Sequence, residues 1–210
     1  MKIAICVLLI FTSGTVFSQD YFPDFRNKRE SALKLQQKDI RADISTFSLT
    51  AIDESIRQAP LTKIQVRDFG DNFMLFEGEN IKVKITTAPF DSTKSKITKI
   101  SGHVVKINNR PFYGNYGKMP QTFIKEVLVM INNDTLAIPP AAYNDLFNLH
   151  LSYTDKKGTL RSVNGVFISP DKRKIYIYLL SKDNNDSYEV TWIIQDKVYF
   201  RRALDYGILK

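Results

Sequence analysis

From Lys63 to the C-terminus apolar residues recur mostly at every second position, whereas before Pro60 they recur at helical steps. Ile81, Val83 and Ile85 alternate with Lys82, Lys84 and Thr86, the pattern of a half-buried strand with one wet face. Ile64 and Val66 alternate in the same way with Gln65 and Arg67. The run from Ile97 to Ile107 changes phase near Ser101-Gly102, which predicts a bulge or bend there. Val127 to Ile131 is apolar at every position and predicts a strand covered on both faces. A short return strand is expected over Thr135 to Ile138. Pro139-Pro140 ends it, and Ala141 to Phe147 should form one or two helical turns.

The last third carries four runs rich in Ile, Val, Tyr and Phe: Leu160 to Ser169, Lys174 to Ser181, Tyr188 to Gln195 and Val198 to Tyr206. Turn-forming residues separate them at hairpin spacing, which predicts an antiparallel meander. Tyr188, Val190, Trp192 and Ile194 share one face by alternation. Ile107-Asn108-Asn109, Ile131-Asn132-Asn133 and Ile194-Gln195-Asp196 resemble one another, which reads as one hairpin type used repeatedly rather than as a duplicated unit.

Asp20 to Pro60 reads as helical. Leu33, Ile40, Ile44 and Phe47 fall on one helix face, Pro23 and Asp24 suit a first turn, and Glu30 and Lys34 make an i,i+4 pair. Leu49, Ile52 and Ile56 continue at helical steps as a second helix, against a competing short strand over Thr46 to Ile52. The fold class expected is α+β: an N-terminal helical segment over 19–60, then a mainly antiparallel β-sheet domain over 61–210, a meander of eight to ten strands curling into a sandwich or partial barrel.

Residues 1–18 have a different pattern. Lys2 precedes an unbroken apolar run from Ile3 to Phe11, and Val16-Phe17-Ser18 places modest residues before Gln19. That is the layout of a secretory signal peptide, too short in its apolar run to span a bilayer, so the chain is expected to be exported to a bacterial periplasm or cell exterior. No other apolar stretch is long enough for a transmembrane helix, so no transmembrane segment is expected after processing. Gln19 rather than cysteine at the cut predicts no lipid anchor. The single cysteine, Cys6, would leave with the leader, and with it thiolate nucleophiles, Cys-ligated zinc and disulfides. The net charge of +8 falls by one with the loss of Lys2 and draws the protein to anionic surfaces. The basic residues are spread along the chain, so much of that excess reads as a solvated surface.

Candidate chemistry is sparse. His103 and His150 are the only histidines, and no metal-ligand spacing surrounds them. No G-x-S-x-G elbow or phosphate-binding glycine loop occurs, so neither metal nor cofactor is expected. Asp183 to Ser187 suggests a calcium loop but lacks its glycine and glutamate, and reads as a polar turn. Lys197, Tyr199 and Arg201 interleave, yet this is ordinary for a wet strand face, and nucleic acid is not an expected partner. Asp91-Ser92-Thr93 and Asp134-Thr135-Leu136 resemble a short bacterial O-glycosylation motif. Asp68, Asp71, Glu77 and Glu79 form the densest acidic patch, centred on a turn at Gly70 to Asn72.

The segment from Asn109 to Pro120 gathers Phe112, Tyr113 and Tyr116 with two glycines and two prolines between strands. Aromatics kept on an irregular loop either pack on the core or face a partner, and flat rings suit sugars and protein surfaces. The expected function is therefore a non-catalytic binding or structural protein of the cell envelope. It would engage a glycan, an envelope component or a protein through Phe112, Tyr113, Tyr116 and Lys118. The alternative is a secreted polysaccharide hydrolase using a carboxylate pair such as Asp68 and Glu77.

Overall fold

Two-residue turns set the architecture. Glu79-Asn80, Ser101-Gly102, Asn108-Asn109, Asn132-Asn133 and Asp196-Lys197 all have both residues at positive φ, between 48° and 81°. That is the backbone of a type I′ turn, whose twist matches that of the strands it joins. Asn and Gly carry most of these positions because they tolerate the left-handed region best.

The computed structural model describes residues 22–50, 60–182 and 186–208. Its first regular element is α1 (Lys38–Ser45), preceded by a single 3-10 turn over Ala32–Lys34. The strands follow as β1 (Thr62–Ile64), β2 (Val66–Gly70), β3 (Phe73–Gly78), β4 (Ile81–Pro89), β5 (Ile97–Ile100), β6 (His103–Ile107) and β7 (Thr122–Ile131). Then come β8 (Asp134–Ala137), β9 (Tyr153–Thr154), β10 (Leu160–Arg161), β11 (Gly165–Ile168), β12 (Lys174–Ser181), β13 (Tyr188–Gln195) and β14 (Val198–Tyr206). One five-stranded sheet has the order β1-β11-β12-β13-β14 and the other β2-β3-β4-β7-β8, with every pairing antiparallel. The hairpins β5-β6 and β9-β10 stand apart as two-stranded sheets.

The two large sheets face each other across one core. Met74 and Phe76 on β3, Val83 and Ile85 on β4 and Val129 on β7 meet Ile177 and Leu179 on β12 and Val190 and Trp192 on β13. Trp192 is fully buried and its indole N–H donates to the Ala142 carbonyl at 2.9 Å, so the largest core side chain leaves no polar atom unpaired. The alternate residues of the meander form a second core on the opposite face. There Tyr176, Ile193 and Ala203 pack against Ala32, Leu35, Ile40 and Ile44 of the N-terminal segment. β12 and β13 are buried at nearly every position because one face meets the other sheet and the opposite face meets α1.

The α+β class and the antiparallel meander hold, with β12, β13 and β14 at the bounds expected from the pattern. Several details differ. Among the described residues there are fourteen strands where eight to ten were expected, and they form two facing sheets, as in the expected sandwich, with two further hairpins. Ser101-Gly102 is a hairpin turn, not a bulge, because both residues adopt positive φ and Ile100 pairs directly with His103. Leu128 and Met130 are only partly buried, so β7 is covered on one face. The run from Leu160 to Ser169 breaks before Gly165, where buried Asn164 turns its carboxamide to the His150 and Leu151 carbonyls and to the Leu180 N–H. Between residues 22 and 31 the chain is irregular rather than helical, with a turn at Arg29-Glu30: Glu30 faces Arg202 instead of Lys34, and Asp24 grips Arg26. The expected signal peptide, Ile52 and Ile56 of the expected second helix, and most of the Asp183 turn lie outside the described residues.

Burial raises the phenols of Tyr176, Tyr178 and Tyr188 well above their ordinary value and pushes those of Tyr113 and Tyr199 up to about 12. Phenols of the unfolded chain ionise near pH 10, roughly. Above that pH the unfolded state holds fewer protons than the folded one, so stability is intact below about pH 9.5 and falls as pH rises further. Urea midpoints measured from about pH 8 to pH 12 should stay level and then drop steeply, with phenolate absorbance appearing mainly on unfolding. All ten tyrosines titrating near pH 10 in the folded state would contradict this packing.

Candidate functional site

The aromatic loop is built on left-handed residues: Gly114 (φ 95°), Asn115 (φ 62°) and Gly117 (φ 91°). A Cβ on Gly114 would lie 2.1 Å from the Phe147 carbonyl oxygen, so glycine there permits the close approach of two backbones. That approach is hydrogen bonded: the Tyr113 N–H donates to Asp145 and the Phe147 N–H to Tyr113, each at 2.9 Å. On the other side Val104 and Gly117 exchange N–H···O bonds at 3.0 and 3.1 Å.

This backbone turns the loop aromatics inward. Phe112 is 1% exposed and packs edge-on against Phe147, and Tyr113 is 4% exposed within the core between the sheets. Tyr116 is half-buried, and Lys118 projects into solvent. The outer side of Tyr116 is covered by the chain's own residues 22–30. Its hydroxyl donates to the Pro23 carbonyl and accepts from the Phe25 N–H, both at 3.0 Å. Phe22 stacks on His103, with ring centroids 4.0 Å apart, and on Tyr116 at 5.9 Å. The Arg26 guanidinium lies between two rings, 4.3 Å from the centroid of Tyr116 and 4.4 Å from that of Tyr206. It pairs with Asp24 and with Asp186, and Asp186 also accepts the Gly114 and Tyr116 N–H groups. Burial opposes the charge on Arg26, but the hydrogen bonds to Asp24 and Asp186 outweigh it and raise its pKa.

Asp186 belongs to a row of buried charged groups that sequence reading passed over. Glu189, 3% exposed, accepts from Ser48 Oγ, from the Leu49 and Thr50 N–H groups, from the Thr50 hydroxyl and from Tyr178 Oη. Asp205 accepts the Ala32 N–H at 3.0 Å. Arg202 holds Glu30 and Asp145 and donates to the Ala142 carbonyl. Tyr176 donates to Asp43 of α1 at 2.5 Å. A signal was available: Glu189, Arg202 and Asp205 are charges inside strand runs that are mostly apolar, where a buried charge must be paired.

Asp71 and Glu79 flank the two ends of β3, and six residues of strand separate them by roughly 20 Å. Asp68 pairs opposite Leu75 and so lies two positions from Glu77 on the same exposed face of β2 and β3, and the acidic patch is split rather than gathered at one point. Asp68 is exposed and accepts the Phe69 N–H, Glu77 pairs with Lys82 at 3.7 Å, and Glu79 pairs with Lys172 at 3.0 Å. His103 and His150 do not meet: His103 stacks on Phe22, while exposed His150 lines a polar cleft of about 540 Å³ with Asp71, Asn115 and Gln121. Among the described residues no three His, Cys, Asp or Glu side chains form a metal-binding group.

A second concavity, of about 590 Å³, opens on the far side of Phe147. Phe90, Phe123 and Tyr143 line it as partly exposed rings, and Lys94 and Lys125 flank it. Phe90 meets Phe147 edge-on at 5.3 Å, and Tyr143 meets Trp192 edge-on at 6.3 Å, so both rings are held by buried partners. The Lys94 side chain is 83% exposed and lies 3.2 Å from Asp91. Burial raises the Tyr143 phenol, and the charge of Glu126 adds to the rise.

No family model, characterised protein or solved structure matches this chain. The concavities and charged clusters above therefore carry the functional argument by their own chemistry.

Replacing Glu189 by Leu removes the acceptor for the Leu49 and Thr50 N–H groups and leaves Tyr178 Oη buried without a partner. The expected cost is about 1–3 kcal/mol, read as a lower urea midpoint. The amides of Leu49 and Thr50 should lose hydrogen-exchange protection ahead of those of β12. Unchanged stability would show that the segment is held by its apolar contacts alone.

Proposed function

We propose that the protein is an exported, non-catalytic binding protein of the bacterial cell envelope, and that its ligand is an acidic glycan held in the groove between Phe90, Phe123 and Tyr143. The observation that carries this reading is the pairing of partly exposed rings, fixed from behind, with two lysines at the rim. Sugar rings present apolar C–H faces to aromatic planes, and their carboxylates or sulfates suit ammonium groups. The net charge of +8 favours the approach of a polyanion. The groove is separated from the aromatic loop by Phe147, and the loop rings Phe112 and Tyr113 support it from within rather than offering a surface. The leader-like residues 1–18 support export.

Calorimetric titration of the mature chain with an oligogalacturonate and with a neutral cello-oligosaccharide tests this. The acidic sugar should bind, and at least tenfold of that affinity should be lost in Tyr143→Ala and in Phe90→Ala. Lys125→Gln should weaken binding mainly at low salt, because a rim charge is screened. Asp68→Asn should leave binding unchanged. Binding that vanishes entirely in high salt and ignores Tyr143→Ala would reduce the interaction to general attraction between charges. Release of new reducing ends, abolished by Asp68→Asn or Glu77→Gln, would replace this reading with hydrolysis.

A further inference from the structure

The contact around Arg26 has the composition of a receptor rather than of an ordinary surface ion pair. Two tyrosine faces enclose the guanidinium at 4.3 and 4.4 Å, and the Asp186 carboxylate closes the end. Aromatic planes on either side of a cation, with an anion behind, are the general solution for binding a delocalised cation out of water. The walls are held without any help from Arg26. Asp186 is fixed by the Gly114 and Tyr116 N–H groups, at 3.2 and 2.8 Å. Tyr116 is placed by the bonds between Gly117 and Val104, and Tyr206 by its pairing with Tyr188 across β13 and β14. The backbone of the cage is thus set by residues far in sequence from its occupant, while the Tyr116 hydroxyl is also engaged by Pro23 and Phe25 of the occupant's own segment.

The stretch that carries the occupant is less buried than the rest of its segment. Beyond residue 30 the chain is anchored by Glu30 on Arg202, by the Ala32 N–H on Asp205 and by the apolar contacts of Leu35 and Ile40. From 22 to 29 the chain is held by Phe22 on His103, by Phe25 under Lys106, by the Tyr116 hydroxyl, by Arg26 itself, by the Asn27 carbonyl on Tyr113 and by Lys28 over Tyr206, yet none of residues 22–29 is fully buried. A stretch without a buried residue can open locally while the fold stays intact.

We propose that Tyr116, Tyr206 and Asp186 form a binding site for an arginine on a non-helical peptide segment, filled in cis by Arg26, and that residues 22–29 of a second copy of this chain occupy it in trans when the cis segment lets go. The second copy is the partner whose fit is on the page. Asp24 orients the guanidinium through both carboxylate oxygens, Pro23 and Phe25 meet the Tyr116 hydroxyl, and Phe22 stacks on His103. The cis segment competes at the high effective concentration of a tethered ligand, so exchange in the wild type is suppressed but not forbidden. This site is independent of the groove proposed above.

The test uses a fluorescent peptide of residues 22–31 and the full mature chain. Arg26→Ala, which leaves the cage empty of its own guanidinium, should bind the peptide at least tenfold more tightly than the wild type does. Changing Arg26 of the peptide to lysine, with Arg29 kept, should cost at least tenfold, because an ammonium cannot stack between two rings and meet a carboxylate in the same way. Adding Tyr206→Ala to the Arg26→Ala protein should abolish the difference between the two peptides. Equal binding of both peptides, equal binding by wild type and Arg26→Ala, or no binding at all would overturn the proposal. Hydrogen exchange on the wild type provides a check that needs no variant: the Phe25 and Arg26 amides should exchange much faster than those of Ala32 and Leu204. If all four exchange only with global unfolding, the segment never leaves its cage and the proposal fails.

Discussion

The structure depends on the requirement that the β12-β13-β14 sheet be covered on both faces. Its residues are apolar on both sides, so a facing sheet satisfies only half of them. The other half is covered by a segment containing one eight-residue helix, too short to be stable alone in water. That segment is therefore fastened by hydrogen bonds to buried charges on the sheet it covers. Glu189 takes the backbone of Leu49 and Thr50, Asp205 takes Ala32, Arg202 takes Glu30, and Asp186 takes Arg26. Each of these groups would be costly to bury alone and is tolerated because the N-terminal segment completes it. The sheet and its cover thus depend on one another: apolar contacts bring them together, and the polar groups specify which residue meets which.

The opposite side of the molecule is governed by turn geometry. Type I′ turns at Glu79-Asn80 and Asn132-Asn133 fix how β3, β4, β7 and β8 pair, and a one-residue slip would send Val83, Ile85 and Val129 to solvent. The turn at Asp196-Lys197 does the same for β13 and β14, with a bulge after Ile193 that leaves Phe200 outside the ladder and 41% exposed. The long connections carry what the hairpins cannot. Between β6 and β7 the aromatic loop folds back on Phe147, and the segment after β8 supplies Ala142 and Asp145 to Trp192 and Arg202.

The features legible in the sequence were those with strong local periodicity. Alternation from Lys174 onward gave β12, β13 and β14 at their observed bounds, because strand period and turn chemistry both act within a few residues. The repeated Asn-Asn turns were legible for the same reason. The N-terminal segment was not. Leu33, Ile40, Ile44 and Phe47 do suit one helix face, but Leu33 is 55% exposed, and the chain before Ala32 is irregular because it is tied to β14 and the aromatic loop. Tertiary partners such as Arg202 and Tyr116 overrode local propensity there. The same limit applies to the candidate site. Loop aromatics were expected either to pack or to face a partner, and the backbone approach permitted by Gly114 decides for packing in Phe112 and Tyr113. That approach involves the Phe147 carbonyl, which no local pattern could bring into view.

The distribution of positive charge ties these observations together. Arg26, Arg202 and Lys174 are cations drawn into the structure, each with two carboxylates around it, and all three act on the N-terminal segment. Arginine suits that place because its planar fork can meet two acceptors and stack on rings at once. Lys94 and Lys125, by contrast, stand at the rim of a groove whose rings are already fixed from behind. A hydrated ammonium on a mobile stem contributes little to stability there, and the short contact of Lys94 with Asp91 is of the exposed kind that is worth little. Burial rather than the type of cation separates the two settings: Arg26, Arg202 and Lys174 are enclosed with carboxylates of the N-terminal segment, whereas Arg161, Arg173 and Lys94 stand exposed. The Arg26 cage thus serves the chain's own segment, while the groove has only exposed cations at its rim.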